Sequence, residues 1–204
     1  MTIFEFHFDF GSPNAYFSHK LIPGITERTG VDCTYIPVLL GGVFKLTNNK
    51  SPMEQFQDIK NKNEYGRLEI DRFIKKYGLI QYKRNPHFPV NTVQIMRGAI
   101  LAQREGRLLA YVDVVYKNMW EQGLKMDDPE VMVTSLDAAG FDGSKILEGI
   151  QEQSVKDELL NNTTASVARG TFGSPTFFVG DEIFFGKDKL RDMEEEILEQ
   201  QARS

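Results

Sequence analysis

The chain opens on an alternating run. In TIFEFHF, residues 2–8, Ile3 and Glu5 fall on one side and Phe4, Phe6 and Phe8 on the other. A period of two predicts a strand with one buried face. Gly11 and Ser12 end it. Ser12 is placed to cap a helix, and Pro13 then takes the first helical position, where a missing N–H costs nothing. The helix is predicted over 13–29, with Ala15, Tyr16, His19, Leu21 and Ile22 turned to the core. Pro23 should kink it and Gly30 should stop it. VDCTYIPV, residues 31–38, reads as a second strand. Strand, helix and strand form a βαβ unit with a right-handed crossover.

From residue 53 to about 169 the period becomes helical. Residues 55–77 place Phe56, Ile59, Leu68, Phe73, Ile74 and Tyr77 on a 3.6-residue rhythm, stopped by Gly78. Asn91 or Thr92 caps a helix of 92–105, and Leu108 to Trp120 carry another, ended by Gly123. Asp128-Pro129 opens a third, closed by Gly140, and Ser144 and Ser154 are candidate caps for two more. Strand character returns in TFFVG (176–180) and EIFF (182–185), and a last helix is predicted over 188–201. An isolated ββα tail would leave its apolar face uncovered, so the two ends should join in one four-stranded mixed sheet. The expected organisation is an α/β fold in three stretches: 1–45 (βαβ), a large all-helical insertion over 46–165, and 166–204 (ββα).

Composition narrows the classes. Hydrophobic residues make up 41% of 204, enough for a core without disulfides, and the one cysteine, Cys33, has no partner to bridge. Cys33 reads as a small core group rather than a redox thiol. Residues 1–10 lack the basic start of a signal peptide, and no apolar run is long enough to span a membrane, so the cytoplasm is the expected location. One cysteine and three histidines give no spaced ligand set, and no metal site is expected. A net charge of −5 argues against nucleic acid as the main partner. That charge is unevenly spread: residues 45–84 hold ten Lys/Arg and five Asp/Glu, a surplus of five positive charges. Such a window is either a solvated helical face or a field suited to a small anionic ligand.

The strand-to-helix corner carries the candidate chemistry. The N–H groups of a helix start are unpaired and favour an anion. Ser12 is therefore a simple cap, or a hydroxyl that donates to an anion there. A nucleophilic serine needs a base, yet His7 lies on the strand and His19 roughly 10 Å down the helix by its rise. The sequence also lacks the G-x-S-x-G elbow. A cofactor's thiolate is the better guest, because a helix N-terminus and a hydroxyl donor lower a thiol's pKa. The second candidate piece is TFGSPTFFVG, residues 171–180. Pro175 must stand at a strand's start or edge. If Ser174–Pro175 is cis, the backbone of Ser174 turns outward, where an extended peptide can pair.

Five stretches now appear in order: FDFGSPNAYF, LLGGVFKLTNNKSP (39–52), PHFPVNT (86–92), GTFGSPTFFVG (170–180) and FFGKDKL (184–190). Together they resemble the kappa-class glutathione transferases and the 2-hydroxychromene-2-carboxylate isomerases, within the DsbA-like branch of the thioredoxin superfamily. The redox members of that branch carry Cys-x-x-Cys where this chain has Ser12-Pro13-Asn14-Ala15. The resemblance implies a thioredoxin-like sheet with the helical insertion, and glutathione as cofactor or cosubstrate. It implies that Ser12 stabilises the glutathione sulfur and that Ser174, before a cis Pro175, pairs with the cysteinyl backbone. It further implies that Lys45 and Asn49 meet the tripeptide and that Asp188 receives its γ-glutamyl end. The chain departs from the family at Lys187, where members carry Ser or Gln. Read without the resemblance, Lys45 is a surface lysine, Asn49 a turn residue and Asp188 a helix cap. Tyr65, Phe88 and Trp120 are candidates for an apolar substrate pocket against the insertion, or for core.

The expected function is a glutathione-dependent enzyme acting on an aromatic or electrophilic small molecule. A kappa-class-like transferase is favoured, with 2-hydroxychromene-2-carboxylate isomerisation as the alternative. A disulfide oxidoreductase lacks both thiols, since Ser12 and Ala15 stand in their places. A non-catalytic peptide-binding protein is the reading from another class. The resemblance implies a homodimer.

Overall fold

A computed structural model describes residues 3–203; Met1, Thr2 (included in the predicted first strand) and Ser204 lie outside the described residues. The elements follow in the order β1 (Phe4–Phe8), α1 (Pro13–Thr29), β2 (Cys33–Pro37), α2 (Leu40–Thr47), α3 (Pro52–Gln55), α4 (Lys62–Tyr77) and α5 (Val93–Arg104). Then come α6 (Leu108–Trp120), α7 (Pro129–Asp137), α8 (Gly143–Gly149), α9 (Gln153–Ala168), β3 (Thr176–Val179), β4 (Glu182–Phe185), a 3₁₀ turn (Lys187–Lys189) and α10 (Leu190–Arg203). The strands form one mixed sheet in the order β2-β1-β3-β4. β1 runs parallel to β2 and antiparallel to β3, with Phe6 opposite both Tyr35 and Phe177. The two ends of the chain thus share one sheet, and α2 to α9 stand between them in sequence.

The alternation in β1 has the predicted outcome on one face. Phe4, Phe6 and Phe8 are buried, and Phe6 packs on Phe8, Tyr35 and Phe177. The other face is covered too. His7 is buried there, bonded to Ser166 of α9 through Nδ1 (2.8 Å) and to Glu5 through Nε2 (2.8 Å). The guanidinium of Arg169 pairs with Glu5 and lies over the Phe178 ring at 3.9 Å. Burial alone would raise the Glu5 carboxyl, but its bonds from His7 and Arg169 outweigh that and hold it below the usual range.

The helical stretch corrects several expectations. The helix predicted over 55–77 starts later, as α4 from Lys62, and stops at Gly78 as expected; the short α3 precedes it. Ser51 and Glu54 form a capping box that starts α3, and Asn61 takes a left-handed conformation (φ 70°) before α4. The apolar positions Ile59 and Leu68 are exposed, and only Phe73 of α4 is buried. Asp142 and Glu152, not Ser144 and Ser154, stand at the N-caps of α8 and α9; the Asp142 side chain accepts from the Lys145 N–H at 2.9 Å. α1 runs on through Pro23 to Gly30, whose φ of 69° suits a glycine C-cap. α2 spans Gly41-Gly42, and at Gly42 a Cβ would lie 3.1 Å from Thr163 Cγ2, so the small residue lets α2 approach α9. Asp188 falls in the 3₁₀ turn ahead of α10.

No helix among the described residues is long and apolar enough to cross a membrane. Burial, with Glu5 and Asp32 nearby, pushes the Cys33 thiol well up.

Candidate functional site

Ser12 leaves β1 in extended geometry (φ −95°, ψ 114°) and caps α1, with Pro13 next as the sequence suggests. Its Oγ accepts from the Ala15 N–H at 3.2 Å and donates to the Ser174 carbonyl at 2.8 Å. A hydroxyl has one proton, and here it points across the sheet end to the second candidate segment. The Ser174–Pro175 peptide is cis. The Ser174 Oγ accepts from the Asp9 N–H at 3.1 Å, and the Pro175 carbonyl accepts from the Gly186 N–H at 3.0 Å. The Ser174 carbonyl is therefore turned to Ser12 and is not free to pair with an added peptide, contrary to the expectation from sequence. No hydrogen bond within the described residues takes up the Ser174 N–H.

Asn49 joins this cluster: its Nδ2 donates to the Phe172 carbonyl at 2.8 Å, tethering the end of α2 to the segment before the cis peptide. Lys45, in the last turn of α2, is exposed and forms no ion pair among the described residues. Asp188 stands two residues beyond the Gly186–Pro175 bond. Its carboxylate is largely exposed and already faces an ammonium, that of Lys187, at 2.6 Å. Lys187 is itself buried, with its Nζ 4.5 Å from the Phe73 ring centre. Ser12, Ser174, Pro175 and Asn49 are thus linked by hydrogen bonds or directly adjacent, Asp188 follows through Gly186, and Lys45 stands apart.

Of the three candidates for an apolar pocket or for core, Trp120 and Phe88 belong to the core and Tyr65 to neither. Tyr65 is exposed, whereas Trp120 is buried against Tyr82 and Phe88, and its Nε1 donates to the Phe10 carbonyl at 2.8 Å. An indole N–H inside a core needs a partner, and this one fixes the turn between Phe8 and Ser12.

Neither candidate base reaches Ser12. His19 bonds Tyr35 (2.9 Å) and Asp113 (2.8 Å). Glu5, His7 and Ser166 form a chain of hydrogen bonds with the connectivity of an acid–base–hydroxyl relay, but Ser166 is buried and donates to Thr171 at 2.7 Å. No substrate meets that hydroxyl, and the chain of bonds fastens the end of α9 to the sheet.

Sequence reasoning passed over Asp9. It is fully buried, and its carboxylate accepts from the Leu40 N–H (2.7 Å) and the Gly11 N–H (2.8 Å) and meets the Thr92 side chain. Burial raises its pKa, and those three donors pull it back only in part. The signal available was its position: a charged residue between two core phenylalanines, immediately before the serine corner.

A family model described as the DSBA-like thioredoxin domain matches residues 3–198. The chain belongs to that family. Within the DsbA-like family it resembles the 2-hydroxychromene-2-carboxylate isomerase of Pseudomonas putida, 26% identical over 189 residues that cover 92% of this chain and 90% of that protein. It also resembles glutathione S-transferase kappa 1 of Caenorhabditis elegans, 23% identical over 208 residues, covering 91% and 86% of the two. The solved structure of a 2-hydroxychromene-2-carboxylate isomerase superposes with a TM-score of 0.85 at 25% identity, over 98% of this chain and 97% of that one. These relatives are enzymes, and they support an enzyme with this DsbA-like fold.

The donors at the corner suit an anionic ligand: a buried hydroxyl, the N-terminus of α1 and the Ser174 N–H, which no group within the described residues takes up. The far end differs, because Asp188 is already paired with Lys187.

Proposed function

We propose that the chain is a glutathione-dependent enzyme whose Ser12 hydroxyl, at the start of α1, holds the sulfur of the tripeptide in its anionic form. The single observation behind this is the arrangement of Ser12 between a helix N-terminus and the cis Ser174–Pro175 segment, with no base beside it. When bound, glutathione supplies a nucleophilic sulfur that no side chain of this corner provides. Ser12 must release the Ser174 carbonyl to donate to an anion, and the α1 dipole supports the same charge. The Ser174 N–H is a further donor for an extended backbone. Lys45 and Asn49, on and after α2, suit carboxylate and amide groups of the ligand. Asp188, with Lys187 beside it, offers carboxylate oxygens that remain largely open to solvent.

Two chemistries use such a site. The sequence favours transfer of the thiol to an electrophile. The relatives move the balance toward isomerisation of an aromatic carboxylate: three isomerases match at 25–26% identity, the transferase at 23%, and the isomerase fold superposes over nearly the whole chain. Parallel assays with 2-hydroxychromene-2-carboxylate and with a chlorinated nitrobenzene, each with and without glutathione, separate them. Conversion of the chromene without net glutathione use marks the isomerase; stoichiometric glutathione consumption with the nitrobenzene marks the transferase. Equal turnover after every low-molecular-weight thiol is removed overturns both.

A further inference from the structure

Asp9 is not at the surface of the corner, yet it touches every segment that builds it. The residue follows β1 between Phe8 and Phe10, all three without solvent exposure. Its Oδ2 takes the N–H of Leu40, the first residue of α2, and no side chain of α2's own N-cap does that job. Its Oδ1 takes the Gly11 N–H. The Thr92 side chain lies against it at the start of α5, a helix whose first N–H, that of Val93, is taken by Asn91 Oδ1 at 3.1 Å. The carboxylate is therefore a remote cap for α2, and the residue that opens α5 packs against it. Gly11 leaves the space this needs, since a Cβ there would lie 3.2 Å from both Asp9 Oδ1 and Thr92 Cγ2.

The backbone of the same residue completes the junction. The Asp9 N–H donates to Ser174 Oγ at 3.1 Å, and the Asp9 carbonyl accepts from the Ser12 N–H at 3.2 Å. Ser12 in turn donates to the Ser174 carbonyl at 2.8 Å. Asp9, Ser12 and Ser174 thus close a ring of three hydrogen bonds, and the carboxylate fastens that ring to α2 and α5.

We infer that Asp9 is a positioning residue for the proposed reaction: it sets the Ser12 hydroxyl in register with the Ser174 segment and with the helix that carries Lys45. The inference rests on the functional reading above only for the activity it is asked to influence. Asparagine at this position keeps the shape and the bond from Gly11 but turns an amide donor toward the Leu40 N–H, so the end of α2 and the corner shift apart. If Asp9 acts through Ser12, its loss matters only while the Ser12 hydroxyl is present.

The test is a double-mutant cycle of Asp9→Asn with Ser12→Ala, read as kcat/KM with glutathione saturating and 2-hydroxychromene-2-carboxylate varied. Asp9→Asn should lower kcat/KM at least tenfold in the wild-type background and less than twofold in the Ser12→Ala background. A ratio of the two effects of five or more supports the inference; a smaller ratio overturns it, because a merely structural residue acts equally in both backgrounds. If Asp9→Asn does not fold, Thr92→Val replaces it in the same cycle, with a ratio of two as the dividing line. If the wild-type protein proves indifferent to thiols, the functional reading falls, and amide exchange in the thiol-free protein decides the inference instead. The Ser12 and Leu40 amides should then exchange at least a hundredfold faster in Asp9→Asn, and unchanged exchange overturns the positioning role.

Discussion

Replacing Ser12 by alanine removes two bonds, and the structure sets the size of both consequences. The Ala15 N–H loses its capping acceptor, worth about 1 kcal/mol. The buried Ser174 carbonyl loses its donor, at about 1–3 kcal/mol. The sum is roughly 2–4 kcal/mol, and in a chain of 204 residues each kcal/mol moves Tm by about 2–4 °C. Calorimetry or circular dichroism should therefore show a Tm fall of about 4–16 °C. The functional consequence is smaller than the bond strength suggests. A charge-assisted bond to bound sulfur contributes about 1.5–3 kcal/mol, but the hydroxyl must first give up a bond worth about 1 kcal/mol to Ser174. The net, near 1 kcal/mol, is somewhat under one pKa unit. Titrating the ultraviolet absorbance of bound glutathione against pH should thus place the thiol of the Ser12→Ala complex about one unit higher. An unchanged thiol pKa together with a lowered Tm would reduce Ser12 to a cap and refute the reasoning.

Three further perturbations test the frame around the corner. Burial depresses the His7 pKa below 6.5. The unfolded chain then binds the proton more readily, so this part of the stability is present above about pH 6.5 and is lost as pH falls through the folded pKa. His7→Gln should flatten the fall in Tm between about pH 7 and pH 5, and a slope equal to the wild type's counts against it. A Cβ on Gly98 would overlap the Tyr111 hydroxyl, which donates to the Ile95 carbonyl at 3.0 Å. Gly98→Ala should cost about 1–3 kcal/mol in urea melts, chiefly as a lower midpoint at constant slope. Trp120→Phe keeps most of the packing but strands the Phe10 carbonyl, so a loss of about 1–3 kcal/mol is expected in the same assay; a loss below about 0.5 kcal/mol would mean that carbonyl finds another donor.

Local signals in the sequence account for the strand-to-helix corner and little beyond it. Alternating phenylalanines, Ser12-Pro13 and Gly30 specify β1, α1 and its cap because each acts on its own few residues, and the structure carries all three. The segment from Leu40 misleads for the opposite reason: Gly41-Gly42 reads as a break by propensity, yet close packing on α9 makes Gly42 an advantage. The helix predicted over 55–77 ends at Gly78 as expected but begins only at Lys62, because an apolar rhythm says nothing about whether a surface covers it. Ile59 and Leu68 are exposed, and a capping box at Ser51 and the left-handed Asn61 decide the boundaries instead.

The site itself belongs to the second kind of information. Its bonds join residues 162 (Ser12 to Ser174), 165 (Asp9 to Ser174), 123 (Asn49 to Phe172) and 31 (Asp9 to Leu40) positions apart. In each of the four a side chain meets a backbone group, so no spacing rule or pairing of residue types announces them. That is why Ser12 and Ser174 were visible as candidates through their prolines while Asp9, with no motif of its own, was not. The same geometry explains the division of labour at the corner. The strand positions the serine, the helix start makes the place hospitable to an anion, and a buried carboxylate holds two further helices to it. A hydroxyl so placed stabilises a charge brought by a ligand and has no base to make it a nucleophile.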